Sequence, residues 1–308
     1  MRDKCLRIAC RSITLSPGRL VLLLPLLLLL LSGGPAPAGG ATLDVTPSNP
    51  RQAEALFVRL RGVDGVEEPR VTWLGKSYPL RRLGENWGAV VPISPDVRAG
   101  GHTLVVTFDR GASLERLARK VEVQRVAFPV QHLRMARQTA SLYNYPGVDE
   151  REERPLSAAL RVKTDERLWS GEWVLPVKGR LSTPFGVRRI RNGRAVGRHR
   201  GADIAAPTGT PIVAPAAGRV VLAEPASRFR KYGGTVVLDH GQGLTSMYIH
   251  MSAVTAREEQ VLRRGEELGR VGEEGVATGP HLHWSVYVQG TPVGPLFFCR
   301  LGKRGIRF

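Results

Sequence analysis

From Trp169 to the C-terminus the chain is a succession of short β-forming runs punctuated by glycine and proline, with little helical spacing. Ile204–Pro215, Gly218–Leu222, Thr235–Asp239, Leu244–His250 and Glu267–Val271 are the clearest of these runs. Many short strands with Gly-bearing turns confine this half to an antiparallel β-domain. His240-Gly241-Gln242-Gly243 between two such runs predicts a hairpin, its glycines supplying positive φ. The most informative run is Gly279–Val288. From Leu282 it reads as a strand, because Trp, Val, Tyr and Val favour β structure and apolar residues recur at period two. Residues i and i+2 of a strand share a face, so His281 and His283 point the same way.

A lone His-x-His is more often a half-buried strand with hydrogen-bonded imidazoles than a metal site. This pair is not alone. Upstream lies His199-Arg200-Gly201-Ala202-Asp203, and between them Ser246-Met247-Tyr248-Ile249-His250. Of 7 histidines in the chain, five fall between His199 and His283, which scattered core histidines would not do. Two histidines and a carboxylate make the open three-ligand zinc site of hydrolases, with water in the fourth position. Such a site leaves two histidines spare for proton transfer. His240 is expected to be structural.

Residues 41–124 are β-rich as well. Ala55–Leu60, Arg70–Leu74, Trp87–Val91 and His102–Phe108 are the expected strands, separated by Gly- and Pro-bearing turns. Their spacing predicts an immunoglobulin-like β-sandwich without a catalytic constellation, serving as a spacer or a binding module. Residues 125–168 predict a helical linker, with helices over Pro129–Leu142 and Asp149–Arg167. The mixed charges of Asp149–Arg154 read there as a solvated face. Residues 169–308 form the β-domain that carries the histidines.

Residues 1–40 read as a signal peptide. Arg2, Lys4, Arg7, Arg11 and Arg19 precede the apolar run Leu20–Leu31, and Ala36-Pro37-Ala38 has the small-residue pattern of a cleavage site. The run is short for a membrane span. Export to the periplasm, cell wall or exterior is expected, with an uncleaved membrane anchor as the other outcome. Past the leader only Cys299 remains, so no internal disulfide is expected. The net charge is +18, which for an exported chain suits anionic cell-wall polymers rather than nucleic acid. An arginine-rich composition accounts for most of that charge. A monomer is expected.

Gly179–Phe297 resembles the LytM-type, lysostaphin-like zinc metallopeptidases of family M23. The matching motifs are His199-Arg-Gly-Ala-Asp203, Ala206-Pro-Thr-Gly-Thr-Pro211, Asp239-His-Gly241, Tyr248-Ile-His250, Val271-Gly272 and Thr278-Gly-Pro-His-Leu-His283. The resemblance implies an M23-type peptidase domain in which His199, Asp203 and His283 hold one Zn2+. His281 and His250 then match the two active-site histidines that are not ligands. His281 would take a proton from zinc-activated water and return it to the leaving amine, and His250 would stabilise the oxyanion. The implied function is an endopeptidase acting on the peptides of cell-wall peptidoglycan. Its alternative is a non-catalytic or autoinhibited regulator that binds the wall and activates another hydrolase. Trp284-Ser285 stands where the family commonly has an aromatic and then an acidic residue, and Met251 replaces a usual leucine. The lost acid is expected to remove a partner behind the ligands, with modest effect on the site.

Overall fold

The computed structural model describes residues 40–143, 145–304 and 306. The expected leader lies outside them. Among the described residues no helix is long and apolar enough to cross a membrane.

Eight strands come first: β1 (Thr42–Thr46), β2 (Ala55–Arg61), β3 (Arg70–Trp73), β4 (Lys76–Pro79), β5 (Arg81–Leu83), β6 (Asn86–Pro92), β7 (Gly100–Arg110) and β8 (Ser113–Val123). They form two antiparallel sheets, ordered β1-β2-β6-β5 and β4-β3-β7-β8. Between them Leu56, Val58, Leu60, Trp73, Val91, Leu104 and Phe108 make a shared core. The alternation along β2 has a second consequence. Leu56, Val58 and Leu60 face that core, whereas Ala55 and Phe57 point to the opposite face. There, with Val90 of β6, they join the core of residues 169–306. The Phe57 ring packs 6.1 Å from both Trp169 and Phe297. The β2–β6 pair is therefore apolar on both faces, and residues 40–306 make one compact body.

The connecting region is less helical than its spacing suggests. Val130–Leu133 is a strand, β9, and helix is confined to α1 (Arg137–Ser141), a π-helical turn at Asp149–Glu153, and α2 (Arg154–Ala159). Tertiary pairing overrides local propensity here, and Pro146-Gly147 interrupts the rest. The solvated face expected for Asp149–Arg154 fails at Glu152, whose side chain is fully buried. Its carboxylate accepts backbone N–H bonds from Arg230 (2.7 Å), Lys231 (3.0 Å) and Tyr232 (3.2 Å), and a bond from the Tyr145 hydroxyl. Glu153 adds a pairing with the Lys231 ammonium.

The second half contributes β10 (Arg180–Thr183), β11 (Arg188–Arg191), β12 (Arg194–Arg198), β13 (Ala202–Ala205), β14 (Pro211–Val213) and β15 (Gly218–Glu224). It continues with β16 (Gly234–Gly241), β17 (Leu244–Val254), β18 (Val261–Leu262), β19 (Glu267–Val271), β20 (His281–Val288) and β21 (Thr291–Val293). The main sheet runs β10-β13-β20-β17-β16-β15-β18. Its pairings are antiparallel, whereas β9 lies parallel to β11 in a small separate sheet with β12. The β16–β17 hairpin is tighter than the sequence suggests. Gly241 pairs with Leu244, so Gln242-Gly243 alone makes the turn, with φ of 55° and 75°. Two positive φ values in a two-residue loop match the right-handed twist of the flanking strands. His240 is structural, as expected. It donates from Nδ1 to the Ala217 carbonyl at 2.7 Å, and burial pushes its pKa down to about 4.

Candidate metal centre and cleft

The register of the main sheet assembles the site. β13 pairs with β20 so that Asp203 stands opposite His283, and His281 follows on the same face two residues earlier. β17 flanks β20 on its other edge with Ile249 opposite His283, so His250 comes next to the pair. His250 has φ 67°, an uncommon conformation for a residue with a β-carbon and a frequent feature of functional sites. His199 enters from the turn before β13, held by its N–H to the Val187 carbonyl at 2.8 Å. Gly201 beside it has no room for a side chain. A β-carbon there would lie 2.6 Å from His283 Nε2 and from Ser285 Oγ.

Three donor atoms converge. Asp203 Oδ1 lies 2.9 Å from His199 Nε2 and 2.7 Å from His283 Nδ1, and the two nitrogens are 3.0 Å apart. His199 donates from Nδ1 to the Pro184 carbonyl at 2.9 Å, which leaves Nε2 as a bare acceptor. An imidazole lone pair and a carboxylate oxygen at that separation repel unless a positive centre lies between them. Two nitrogens and one oxygen, all buried, suit zinc with a coordination position left open. Burial pushes the His283 pKa down to about 4, keeping the ring neutral as a ligand must be. Burial alone would raise the Asp203 carboxyl. Protons on the facing nitrogens of His199 and His283, whose place a bound cation would take, outweigh it and hold Asp203 well below the usual carboxylate range.

The two remaining histidines face the same place but lie outside this donor set. His281 Nε2 is 3.9 Å from Asp203 Oδ1, and the His250 and His281 rings are 4.8 Å apart. Each donates its Nδ1 proton to a carbonyl, His281 to Gly279 at 2.8 Å and His250 to Glu274 at 2.7 Å. Both Nε2 atoms are therefore acceptors. Burial, reinforced by His281 and His283, pushes the His250 pKa down to about 3. All five residues singled out in the sequence thus come together.

Sequence reasoning missed three contributors. Arg189 places Nη2 3.0 Å from Asp203 Oδ2, but its basic surroundings read only as compositional bias. Tyr143 lines the cleft beside His250 and His283, with no signal between the two helices expected of the linker. Ser285 appeared as the loss of an acid. Its hydroxyl lies 2.8 Å from His283 Nε2 and so supplies the partner that orients the ring. Ser285→Ala is expected to weaken zinc binding about 10–100-fold, measured by competition with a chelator. Unchanged affinity would show that the ring is oriented by other contacts.

The profile of Peptidase family M23 matches residues 197–295, and a solved putative peptidase M23 from Pseudomonas aeruginosa is 32% identical. That likeness has a TM-score of 0.59 and covers 81% of this chain and 94% of the other. The chain belongs to peptidase family M23. Among curated M23 relatives, the DD-carboxypeptidase/endopeptidase Mpg of Neisseria meningitidis is 40% identical over 117 residues, 38% of this chain. The Murein hydrolase activator NlpD of Escherichia coli is 32% identical over 124 residues, 40% of this chain. The matched stretches span only 26% and 30% of those two proteins.

Proposed function

We propose that the chain is an exported zinc metallo-endopeptidase that hydrolyses peptide bonds of cell-wall peptidoglycan. The observation that carries this reading is the convergence of His199, Asp203 and His283 beside two histidines whose Nε2 atoms are free acceptors. The curated relative named as a DD-carboxypeptidase/endopeptidase supports the substrate class, and the basic leader with its apolar run supports export. In this reading residues 41–124 are an immunoglobulin-like accessory module, residues 125–168 the linker, and residues 169–308 the peptidase domain.

His199, Asp203 and His283 would hold the zinc, which supplies Lewis acidity toward water and the scissile carbonyl. Arg189, paired to the outer oxygen of Asp203, steadies the carboxylate so that Oδ1 stays turned to the nitrogens. His281 presents a bare Nε2 and takes the proton of the attacking water, then returns it to the departing amine. His250 enters as an acceptor too. It would donate to the developing oxyanion only when its Nε2 carries a proton of its own, separate from the one that His281 passes from water to the amine.

The test is to purify the chain from Gly39, measure its zinc and incubate it with peptidoglycan sacculi. Stoichiometric zinc and released muropeptides are expected, and product masses would name the bond. Zinc without cleavage would favour a regulator of the kind that NlpD is named for. Protein that binds no zinc when supplied with it would sink the metal site itself.

A further inference from the structure

We propose that the cleft recognises its peptide through a carboxylate of the substrate, bound by Arg191 and Arg200. The inference rests on the peptidase reading and adds to it the charge class of the substrate and the direction in which it lies. Two cavities, of about 700 and 350 Å³, meet at Tyr143, Arg189, His250, Val276 and His283. Their charge differs. Besides Arg189, the larger is lined by Arg161, Arg191, Arg198, Arg200 and Lys231, against Glu153 as its one acid. The smaller has only Arg189, facing Asp203, and is otherwise neutral apart from its histidines. A general arginine surplus would load both arms alike.

Several of these cations are already matched. Lys231 pairs with Glu153, Arg198 lies 2.7 Å from Asp96, and Arg189 is on Asp203. Arg161, Arg191 and Arg200 have no carboxylate partner among the described residues. Arg191 is held in place nonetheless. Its guanidinium stacks 3.7 Å from the Tyr143 ring centroid, and its buried Nε has no hydrogen-bond partner among the described residues. Stacking fixes the plane of the fork and leaves its N–H edge for an acceptor. Arg200 lines the same arm as His250 and His283. A guanidinium fork and a carboxylate match in charge and in bidentate geometry. A substrate carboxylate in the larger arm would set the peptide's direction, its uncharged part running into the smaller arm.

The experiment compares zinc-loaded chain from Gly39 on three forms of one cross-linked stem peptide: the free acid, the C-terminal amide, and the side-chain amide. One amidation is expected to lower kcat/KM about ten- to a hundredfold. The amide that fails identifies the carboxylate as terminal or side-chain. In an Arg191→Gln, Arg200→Gln double variant the acid-over-amide preference should fall toward one. Arg119→Gln, exposed on β8, should retain it. Equal rates on all three peptides with the unmodified chain would overturn the inference and leave the peptidase reading standing. If no peptide is cut, that reading fails instead, and calorimetric affinities for acid and amide decide the inference alone. Tenfold tighter binding of the acid upholds it, and equal binding overturns it. The unmodified chain decides the matter even if the double variant does not fold.

Discussion

His281→Ala is expected to lower kcat on peptidoglycan about 10²–10⁴-fold while zinc stays bound in full. The reason is the division of labour in the site. His281 reaches within 3.9 Å of Asp203 Oδ1, yet the three mutually close donors are His199, Asp203 and His283. Its Nδ1 is committed to the Gly279 carbonyl, so what the variant loses is a correctly oriented acceptor and not a ligand. Zinc content by atomic emission, measured beside kcat on the same sample, checks both halves of the expectation. Loss of zinc together with activity would make His281 a ligand. Full activity would pass the proton-transfer role to His250.

Glu152→Ala is expected to lower the melting temperature by about 10 °C, although Glu152 is remote in sequence from His199, Asp203, His250, His281 and His283. The fully buried carboxylate gathers the backbone N–H groups of Arg230, Lys231 and Tyr232. Each buried N–H left unmatched costs about 1–3 kcal/mol, and partial rescue by water brings the total to roughly 4 kcal/mol. Activity should fall as well. The Tyr232 carbonyl accepts the His250 N–H at 2.9 Å, so a slackened 230–232 loop releases the backbone of an active-site histidine. Calorimetry with an activity assay reads both effects. An unchanged melting temperature would show that water replaces the carboxylate at no loss.

The site was legible because its residues fall into short motifs. His281 and His283 share a strand face by period two, and Asp203 follows His199 by four residues in a turn. What brings the motifs together is strand register, and the register of β13 against β20 spans some eighty residues of sequence that no local pattern reports. Arg189 went unnoticed for a related reason. A guanidinium among many others carries no signal until a particular carboxylate is seen beside it. Glu152 was misread outright, because mixed charges on helical spacing ordinarily mean water, and only the loop it captures shows otherwise. The strands of residues 41–124 were legible where β-forming apolar residues cluster, as in β2, or alternate, as in β7. They were not in β8, whose polar, mostly exposed residues are held by pairing with β7. The unbroken apolar run Ala55–Val58 did carry a clue to burial on both faces.

That two-faced strand pair bears on how the chain comes into being. A polypeptide is made from its N-terminus, so β1–β8 can pair and close their shared core early. The outer face of β2 and β6 cannot be finished then. Its cover includes Phe297, and Gly294 donates to the Ala53 carbonyl. Arg304 reaches back to Glu54 across 250 residues of sequence at 2.9 Å. Through synthesis and any passage across a membrane, the apolar outer face of β2 and β6 must wait for residues some 240 positions further on. The segment around Phe297 therefore acts as a latch, and a chain lacking it would keep that face open to unintended partners.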